Sequence, residues 1–445
     1  MSLTNGQSAG LDRIRVVMST PWHQRKHIII CGPAGTGKTY LLRQVLDLVG
    51  PNAHIAFCAP THQAKQVLAD MIGEEAHTIH SLMKIHPETY EDAFDFKQSG
   101  APELDTLDYL VIDEASMKDG MLFDITMRTI PSKCLIIALG DPYQIQPVKN
   151  DPGIISPIFF DDRFERILLT EIVRQSENNP IIKVATNIRK TGCSIYECRG
   201  DDPSTGVYQH HNLNTFMKEY FSRVKVPEDM LKHKMMAYTN ADVDTFNGLI
   251  RQRVYNTTDP VIVGEYLVMQ EPVYQTLEFE GKKMTEIKFH NGETVKVLDI
   301  IGGQQTMGSF ELPFVPHLDK LQVKYYTLKL ESVSEGTVYN IDVIYDSESA
   351  SDLSFYLHCV ATHYKKIKNT KSQSDMKKAW RQFWTLKERF KDVKGAAVCT
   401  FHKSQGSTFE TAFIITNKLG LADRRIRKQL EYVGVTRAKN RVDFI

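Results

Sequence analysis

The sequence predicts an α/β protein with two halves built on parallel sheets and a smaller β-rich segment inserted into the second half. Residues 1–170 alternate short apolar strands with helical patterns, which is typical of a buried parallel sheet. Residues 261–344 change to alternating β patterns with a turn at Asn291-Gly292, which predicts a small barrel or sandwich. Residues 396–445 return to α/β character in the strings AAVCTF, ETAFIITN and RVDFI.

The bulk composition restricts the class of protein. The 445 residues carry 54 basic and 54 acidic side chains, so overall charge gives no argument for binding nucleic acid. No apolar run of about 20 residues predicts a membrane span, and the N-terminus lacks the pattern of a secretion signal. Seven scattered cysteines predict reduced thiols in a cytosol-like compartment. Cys193 and Cys198 are the closest pair, but no second pair or histidine cluster completes a zinc site.

A phosphate-binding loop is the strongest local signal. The apolar strand His27–Cys31 leads into GPAGTGKT and then a predicted helix from Thr39 to about Leu48. Glycines at this turn let backbone N–H groups face an anion at the positive end of the helix. A chance glycine-rich turn would lack this order of strand, loop and helix. The residues predicted to bind a nucleoside triphosphate are Gly32, Pro33, Ala34, Gly35, Thr36, Gly37, Lys38 and Thr39, with Lys38 on the β- and γ-phosphates and Thr39 on Mg²⁺.

Polar residues follow the later strands of this half. Asp113 and Glu114 end the apolar string LVIDE, and we assign Asp113 to magnesium and Glu114 to the attacking water. The alternative is two solvent-facing acids at a strand end. Gln144, in the loop GDPYQIQPV, is a candidate sensor of the γ-phosphate. Hydrolysis also needs positive charge on the leaving phosphates, for which Arg174 and Arg437 are candidates, although spacing alone identifies neither.

Taken together, the motifs resemble those of superfamily 1 helicases of the RecD-like (1B) branch, including phage-encoded members. The resemblance spans nearly the whole chain and rests on the ordered strings GPAGTGKT, APTHQAK, TIHSLMK, LVIDEAS, ALGDPYQIQPV, LTEIVRQ, MAYTN, FHKSQGSTF and EYVGVTRAKNRV. It implies two RecA-like P-loop motor domains, which we expect at 1–83 with 106–177 (1A) and at 178–254 with 396–445 (2A). It also implies a pin insertion at 84–105 (1B) and an SH3-like domain with a helical tower at 255–395 (2B).

The resemblance further implies roles for individual positions. Gln7 lies where the family reads adenine, and Arg174 and Arg437 lie where the family contacts the γ-phosphate from either side of the cleft. The positions that the resemblance assigns to the DNA strand are Thr61, His62, Thr78, His80, Ser81, Thr400, His402 and Gln405. Without the resemblance, His80 and His402 are more typical of structural histidines.

The pin insertion carries a further expectation. Pro87 and Phe96 match positions where the branch places apolar groups against the separating bases, and an aromatic ring can stack on an unpaired base. The alternative is that Phe94 and Phe96 only anchor a short hairpin. Two local departures from the family are Pro142-Tyr143 before Gln144 and the basic run between 365 and 380.

A nucleic-acid groove must come from local charge, since net charge is zero. Residues 364–394 interleave lysines with Trp380, Phe383, Trp384 and Phe390, and residues 424–428 form a second basic stretch. From composition alone, each is more typical of a solvated helical face than of such a groove.

The function that this resemblance implies is an ATP-dependent motor that moves 5′-to-3′ on single-stranded DNA and unwinds duplexes, using ATP and Mg²⁺. Expected partners are single-stranded and forked DNA, with a phage single-strand-binding protein or recombination factors. We expect a monomer in the host cytoplasm that acts in DNA replication or recombination, with no membrane. The first alternative is a DNA-stimulated translocase that displaces proteins with little unwinding. Two others are a loading factor that uses ATP as a switch, and an RNA helicase, since nothing in the sequence reads or rejects a 2′-hydroxyl.

Overall fold

The computed structural model describes residues 3–90, 93–98, 102, 104–117, 120–145, 155–171, 179–192, 194–200, 202–279, 282–368 and 370–445, without the side chains of 86–98 and 276–285. The chain divides into two compact units. The first contains Met1–His86, Gln98–Asn247 and Ala397–Ile445, and the second contains Pro87–Lys97 and Gly248–Ala396. No helix in the described ranges is long and apolar enough to cross a membrane.

Strands and helices alternate through most of the chain. The strands are β1 (His27–Cys31), β2 (Ile55–Ala59), β3 (His77–Thr78), β4 (Ile85–Tyr90), β5 (Ala93–Gln98), β6 (Tyr109–Ile112), β7 (Leu135–Gly140), β8 (Phe164–Leu168), β9 (Cys198–Arg199), β10 (Gly206–Gln209), β11 (His233–Ala237), β12 (Tyr266–Met269), β13 (Val273–Phe279), β14 (Lys282–Phe289), β15 (Thr294–Phe310), β16 (Leu321–Ser332), β17 (Val338–Val343), β18 (Val393–Gly395), β19 (Val398–Thr400), β20 (Phe409–Ile414) and β21 (Ala438–Phe444). The helices are α1 (Asn5–Ser19), α2 (Lys38–Leu46), α3 (His62–Ile72), α4 (Ile79–Leu82), α5 (Gly120–Thr129), α6 (Pro180–Thr191), α7 (Leu213–Arg223), α8 (Asp229–Lys232), α9 (Asn240–Tyr255), α10 (Ser347–Ile367), α11 (Gln373–Arg389) and α12 (Arg424–Thr436).

The first motor sheet lies in the N-terminal half and is parallel throughout its described pairings. Its strand order is β3-β2-β6-β7-β1-β8, so the phosphate-loop strand β1 lies between β7 and β8. The central strands are apolar along their whole length because helices cover both faces of the sheet. The alternation of short apolar strands and helices predicted for this half is confirmed, and the helix after the loop begins at Lys38 and ends at Leu46, close to the predicted span.

The second motor sheet combines strands from the middle and the end of the chain. Its order is β19-β11-β20-β21-β10-β9, and only β9 at the edge pairs antiparallel among the described strands. Helices α6 and α12 pack together over this sheet around Ile188, Leu430 and Val433. The predicted return to α/β character after the β-rich insertion is therefore confirmed.

The second compact unit holds the β-rich segment. Strands in the order β17-β16-β15-β12-β18 form an antiparallel sheet, and β13 pairs with β14 as a hairpin. The predicted turn lies between β14 and β15, where Gly292 has a φ of +80°. The insertion between the first-sheet strands β3 and β6 forms a two-stranded hairpin of β4 and β5.

The aromatic residues of the basic segment are core residues. Trp380, Phe383, Trp384 and Phe390 pack with Tyr364 on the apolar faces of α10 and α11. Trp380, Phe383 and Trp384 recur at helical spacing on one side of α11, and burial of that side stabilises the helix pair. The four rings are therefore not available to stack on bases, and the candidate nucleic-acid groove along residues 364–394 would have to rest on its lysines.

A buried ion pair holds the start of the β-rich unit. Glu265 is 2 % exposed and accepts two hydrogen bonds from the Arg251 guanidinium, at 2.6 and 2.9 Å. We expect Glu265→Ala to lower the free energy of unfolding of this unit by about 3 kcal/mol, because it leaves the arginine partly buried and unpaired. Urea unfolding followed by tryptophan fluorescence measures this loss.

A solvent-exposed pair in the same unit provides the control. Glu311 binds Lys320 at 3.0 Å, with both side chains more than half exposed. Glu311→Ala should therefore lower the free energy of unfolding by less than about 1 kcal/mol. Equal losses in the two variants would show that the buried Arg251–Glu265 pair contributes no more to the free energy of unfolding than the exposed pair does.

Candidate active site

The phosphate loop has the backbone conformation that its glycines allow. Gly35 and Gly37 have φ values of +82° and +72°, which residues with a Cβ rarely adopt. A Cβ on Gly32 would lie 2.7 Å from both the carbonyl oxygen of Leu169 and Oγ1 of Thr36. Gly37 is the N-terminal cap of α2, so the positive end of that helix faces the concave side of the loop. The loop is therefore shaped to receive an anion.

Side chains around the loop hold its shape. Nζ of Lys38 donates to the carbonyl oxygens of Gly32 at 2.7 Å and Pro33 at 3.2 Å, so the ammonium group lies within the loop. Gln7 is buried, and its Nε2 donates to the carbonyl oxygen of Thr36 at 3.0 Å. Its Oε1 accepts from the backbone N–H of Thr4 in a capping box at the start of α1. The structure thus places Gln7 against the phosphate loop, with both ends of its amide hydrogen-bonded.

The paired acids lie just beyond β6. The backbone N–H of Glu114 donates to Oδ1 of Asp113 at 2.8 Å, and Glu114 has a φ of +48°. A left-handed conformation costs free energy in a residue with a Cβ, and such strain is concentrated at functional sites. Burial, together with the negative charge of Glu114, raises the pKa of Asp113 to about 6. The positive charges of Lys38 and Arg437 oppose this shift without cancelling it.

Two of the predicted site residues carry the kind of oxygen donor that a magnesium ion takes. Mg²⁺ prefers oxygen ligands, and a carboxylate and a hydroxyl are available from Asp113 and Thr39. Burial and the negative charge of Glu114 both destabilise the ionised form of Asp113. A divalent cation next to Asp113 would stabilise that form and so lower the pKa of the carboxyl group.

An arginine from the second motor sheet reaches the acids of the first. Arg437 is the C-terminal cap residue of α12, and its NH1 lies 4.0 Å from Oε1 of Glu114. The same nitrogen donates to the carbonyl oxygen of Ser407 at 3.1 Å, and only 6 % of the residue is exposed. Within the described residues, its Nε makes no hydrogen bond. The guanidinium group thus lies between the two sheets, and its Nε–H is a donor that the described residues do not use.

Comparisons with known proteins place the chain in a family. Three family models match successive parts of the chain: AAA domain at residues 18–150, Dda helicase SH3 domain at 258–395 and UvrD-like helicase C-terminal domain at 395–445. The ATP-dependent DNA helicase dda of Enterobacteria phage T4 is 36 % identical over 100 % of this chain and 99 % of its own length. The chain belongs to the Dda family of ATP-dependent DNA helicases.

More distant relatives share the architecture. RecBCD enzyme subunit RecD of Buchnera aphidicola is 22 % identical over 94 % of this chain and 70 % of its own length. A structure of two coordinating Pif1 helicases at forked duplex DNA covers 100 % of this chain and 92 % of its own, with a TM-score of 0.50 and 17 % identity. Bacteroides Pif1 bound to single-stranded DNA gives the same values. These likenesses confirm the predicted helicase fold with its parallel-sheet core.

The positions that the family assigns to DNA in the first motor sheet have local structural partners. The hydroxyl groups of Thr61 and Thr78 accept from the backbone N–H groups of Ala64 and Ser81, so each threonine caps a helix. His62 is buried at the start of α3, whereas Ser81 in α4 is exposed and His80 is half-buried. These residues therefore lie together at the ends of β2 and β3.

The corresponding positions of the second motor sheet lie at the end of β19 and in the residues that follow it. The hydroxyl of Thr400 accepts from the backbone N–H of Lys403 at 3.3 Å, and burial lowers the pKa of His402. Gln405 is buried, and its Nε2 donates to the carbonyl oxygen of Ile145 in the first half at 3.1 Å. Gln405 thus links the two motor sheets through a hydrogen bond to the residue that directly follows Gln144.

Two close contacts between the sheets were not predicted from the sequence. Gly406 has a φ of +78°, and a Cβ there would lie 2.7 Å from the Cβ of Ala64 in α3. The next residue, Ser407, donates from its hydroxyl to Oε1 of Gln63. The glycine within FHKSQGSTF is the signal that could have indicated such an approach, since only Gly combines this φ with this contact.

Some predicted site residues have no described side-chain position. Arg174 lies outside the described residues, as does Cys193. Pro87 and Phe96 lie on β4 and β5 of the hairpin, but their side chains are outside the described part. Gln144 is 5 % exposed, and its backbone N–H donates to the carbonyl oxygen of Asp141 at 3.1 Å.

Proposed function

We propose that this helicase moves 5′-to-3′ along single-stranded DNA and that closure of its two motor sheets over ATP drives the movement. The contact between Arg437 and Glu114 carries this proposal, because residues from separate sheets meet beside the phosphate loop only when the sheets are close together. The direction of movement comes from the family resemblance. We further propose that the protein acts as a monomer in phage DNA replication or recombination, within the host cytoplasm.

In the proposed mechanism the phosphate loop receives the β- and γ-phosphates of ATP. Lys38 exchanges its bonds to loop carbonyls for bonds to phosphate oxygens, which carry a full negative charge and are stronger acceptors. Magnesium, held by Thr39 and Asp113, would neutralise charge developing on the phosphates. Glu114 orients the attacking water, and Gln144, Arg174 and Arg437 contact the γ-phosphate. Gln7 acts on the adenine side of the loop.

The proposed DNA path runs over the strand ends of both motor sheets. It uses Thr61, His62, Thr78, His80 and Ser81 on the first sheet, and Thr400, His402 and Gln405 on the second. Because Gln405 is bonded to the loop that contains Gln144, a shift of the strand can be transmitted to the nucleotide. A single-strand-binding protein or recombination factor of the phage is the partner we propose.

Two partial duplexes test the proposal. One has a 5′ single-stranded tail and the other a 3′ tail, and ATP-dependent strand separation is measured on each. Lys38→Ala is the control, because it removes the charge that holds the phosphates. We expect unwinding of the 5′-tailed duplex alone and none in the control.

The other outcomes discriminate between the alternatives. Unwinding from the 3′ tail would overturn the proposed polarity. ATP hydrolysis without strand separation, with release of a protein block from single-stranded DNA, would favour the translocase. Strand binding with negligible ATP turnover would favour a loading factor.

The hairpin of β4 and β5 gives a further prediction. Phe96→Ala should reduce the number of base pairs opened per ATP hydrolysed about tenfold, since a base–aromatic stack contributes about 1–3 kcal/mol. Single-strand-stimulated ATP hydrolysis should be unchanged. Phe94→Ala on the same strand is the matched control. Equal unwinding per ATP in Phe96→Ala and the wild-type protein would assign the ring to anchoring the hairpin.

A further inference from the structure

Tyr432 connects α12 of the second motor sheet to two loops of the first. Its hydroxyl accepts a hydrogen bond from the backbone N–H of Ala34 in the phosphate loop at 3.1 Å. The same hydroxyl donates to Oδ2 of Asp141 at 2.6 Å. Tyr432 is 2 % exposed and Asp141 is fully buried, so water does not compete for either bond. Burial and the Asp141 charge raise the pKa of Tyr432 well above its ordinary range, so the hydroxyl keeps its proton.

Asp141 connects Tyr432 to the loop that contains Gln144. Oδ1 of Asp141 accepts from the backbone N–H of Tyr143 at 3.0 Å, and its carbonyl oxygen accepts from the backbone N–H of Gln144 at 3.1 Å. The carboxylate therefore has one oxygen on the turn that contains Gln144 and the other on Tyr432. A shift of the tyrosine hydroxyl changes the restraint on that turn.

The helix that carries Tyr432 also carries Arg437. Tyr432 lies in the last turns of α12, and the backbone N–H of Arg437 donates to the carbonyl oxygens of Val433 and Gly434. The two side chains are thus fixed on one rigid element. A rigid-body approach of α12 to the first motor sheet therefore carries both Arg437 and the Tyr432 hydroxyl toward that sheet.

We propose that Tyr432 is a positioning residue that holds Gln144 and the phosphate loop in their hydrolytic arrangement only when the two motor sheets are closed. In the open state the bond to Asp141 is lost, and the turn bearing Gln144 is released as Arg437 withdraws. ATP hydrolysis is thereby restricted to the closed state. This inference rests on the roles proposed above for Gln144 and Arg437.

The hydroxyl is the group that distinguishes this role from simple packing. A ring that only filled space at this position would be replaced by phenylalanine with little effect. Removal of the hydroxyl instead leaves the buried Asp141 carboxylate without one of its donors, and hydrogen bonds to charged groups are among the stronger ones in proteins. Tyr432→Phe therefore isolates the proposed contact without a change in shape.

The experiment compares Tyr432→Phe with Tyr196→Phe in the full-length protein. Tyr196 also contacts α12 through its hydroxyl, which lies 3.4 Å from Oε1 of Glu431 and from NH2 of Arg427, but among the described residues that hydroxyl makes no bond to the first sheet. We expect kcat of DNA-stimulated ATP hydrolysis to fall about tenfold in Tyr432→Phe, with KM for ATP nearly unchanged. Tyr196→Phe should keep the wild-type kcat.

A double-mutant cycle with Asp141→Asn supplies the second readout. The amide keeps an acceptor oxygen at only one of the two positions that Oδ1 and Oδ2 occupy, so it cannot serve Tyr143 and Tyr432 as the carboxylate does. The kcat losses of Asp141→Asn and Tyr432→Phe should be strongly non-additive, because both variants disrupt the same contact between Tyr432 and the turn that contains Gln144. Additive losses would overturn the proposal.

Parallel measurement of Arg437→Ala separates failure of the inference from failure of the proposed function. Full turnover in Arg437→Ala would overturn the proposed hydrolytic geometry and the role of Tyr432 together. Loss of turnover in Arg437→Ala with a wild-type kcat in Tyr432→Phe would overturn the role of Tyr432 alone. An equal loss in Tyr432→Phe and Tyr196→Phe would also overturn it, because the effect would then come from general disturbance of α12.

Discussion

Arg437→Ala is expected to lower kcat of DNA-stimulated ATP hydrolysis by about 10³-fold or more, the range found for arginines supplied to a transferring phosphoryl group. The guanidinium group lies 4.0 Å from Glu114 and comes from the opposite sheet, so it can neutralise charge that develops on the γ-phosphate. Affinity for ATP should fall much less, because the phosphate loop is intact. Steady-state turnover and binding of a fluorescent ATP analogue measure the two effects separately.

A second arginine on the same helix provides the matched control. Arg424 is the exposed first residue of α12, and Arg424→Ala removes the same charge while leaving the cleft unchanged. This variant should hydrolyse ATP at the wild-type rate. If Arg437→Ala retained more than about a tenth of wild-type turnover, direct stabilisation of the transferring phosphate by Arg437 would be excluded.

Glu114→Gln should give the second large effect, a loss of about 10²- to 10⁴-fold in kcat with ATP binding retained. The amide keeps the shape of the side chain but cannot accept a proton from the attacking water. The left-handed backbone at Glu114 is strained for a residue with a Cβ, and such strain is concentrated at functional sites, which supports a functional role. Single-turnover hydrolysis of pre-bound ATP isolates the chemical step.

Asp113→Asn separates the two carboxylates. If Asp113 binds Mg²⁺, its replacement should raise the Mg²⁺ concentration needed for half-maximal turnover, and added Mg²⁺ should restore part of the rate. Added Mg²⁺ should restore nothing in Glu114→Gln. Recovery of Glu114→Gln at high Mg²⁺ would reverse the two assignments.

Local chemistry explains why the phosphate loop was predictable. The strand His27–Cys31, the loop and the helix from Lys38 follow one another without a break, and the positive φ values of Gly35 and Gly37 need no distant partner. The turn at Gly292 is local in the same way. Arg437 was a candidate from charge, but only the family resemblance distinguished it from other arginines before the structure placed it beside Glu114.

The aromatic segment shows where sequence patterns are ambiguous. A row of Trp380, Phe383 and Trp384 among lysines is compatible with a core-facing helix or with a stacking surface for bases. The two differ only in what lies opposite the helix, which is Tyr364 of α10 in this protein. That contact is set by how α10 and α11 pack together, which the spacing of the rings along the chain does not indicate.

By itself, the sequence determined the two parallel-sheet halves, the phosphate loop, the paired acids and the helicase family, because each depends on short-range periodicity or on residues in fixed order. Only the tertiary structure decided which side chains meet between the sheets. The hydrogen bonds of Tyr432 join it to Ala34 and Asp141, which are 398 and 291 positions away in the chain. The close approach of Gly406 to Ala64 also joins distant parts of the chain. Such contacts depend on how whole sheets pack against each other. No local sequence pattern contains that information.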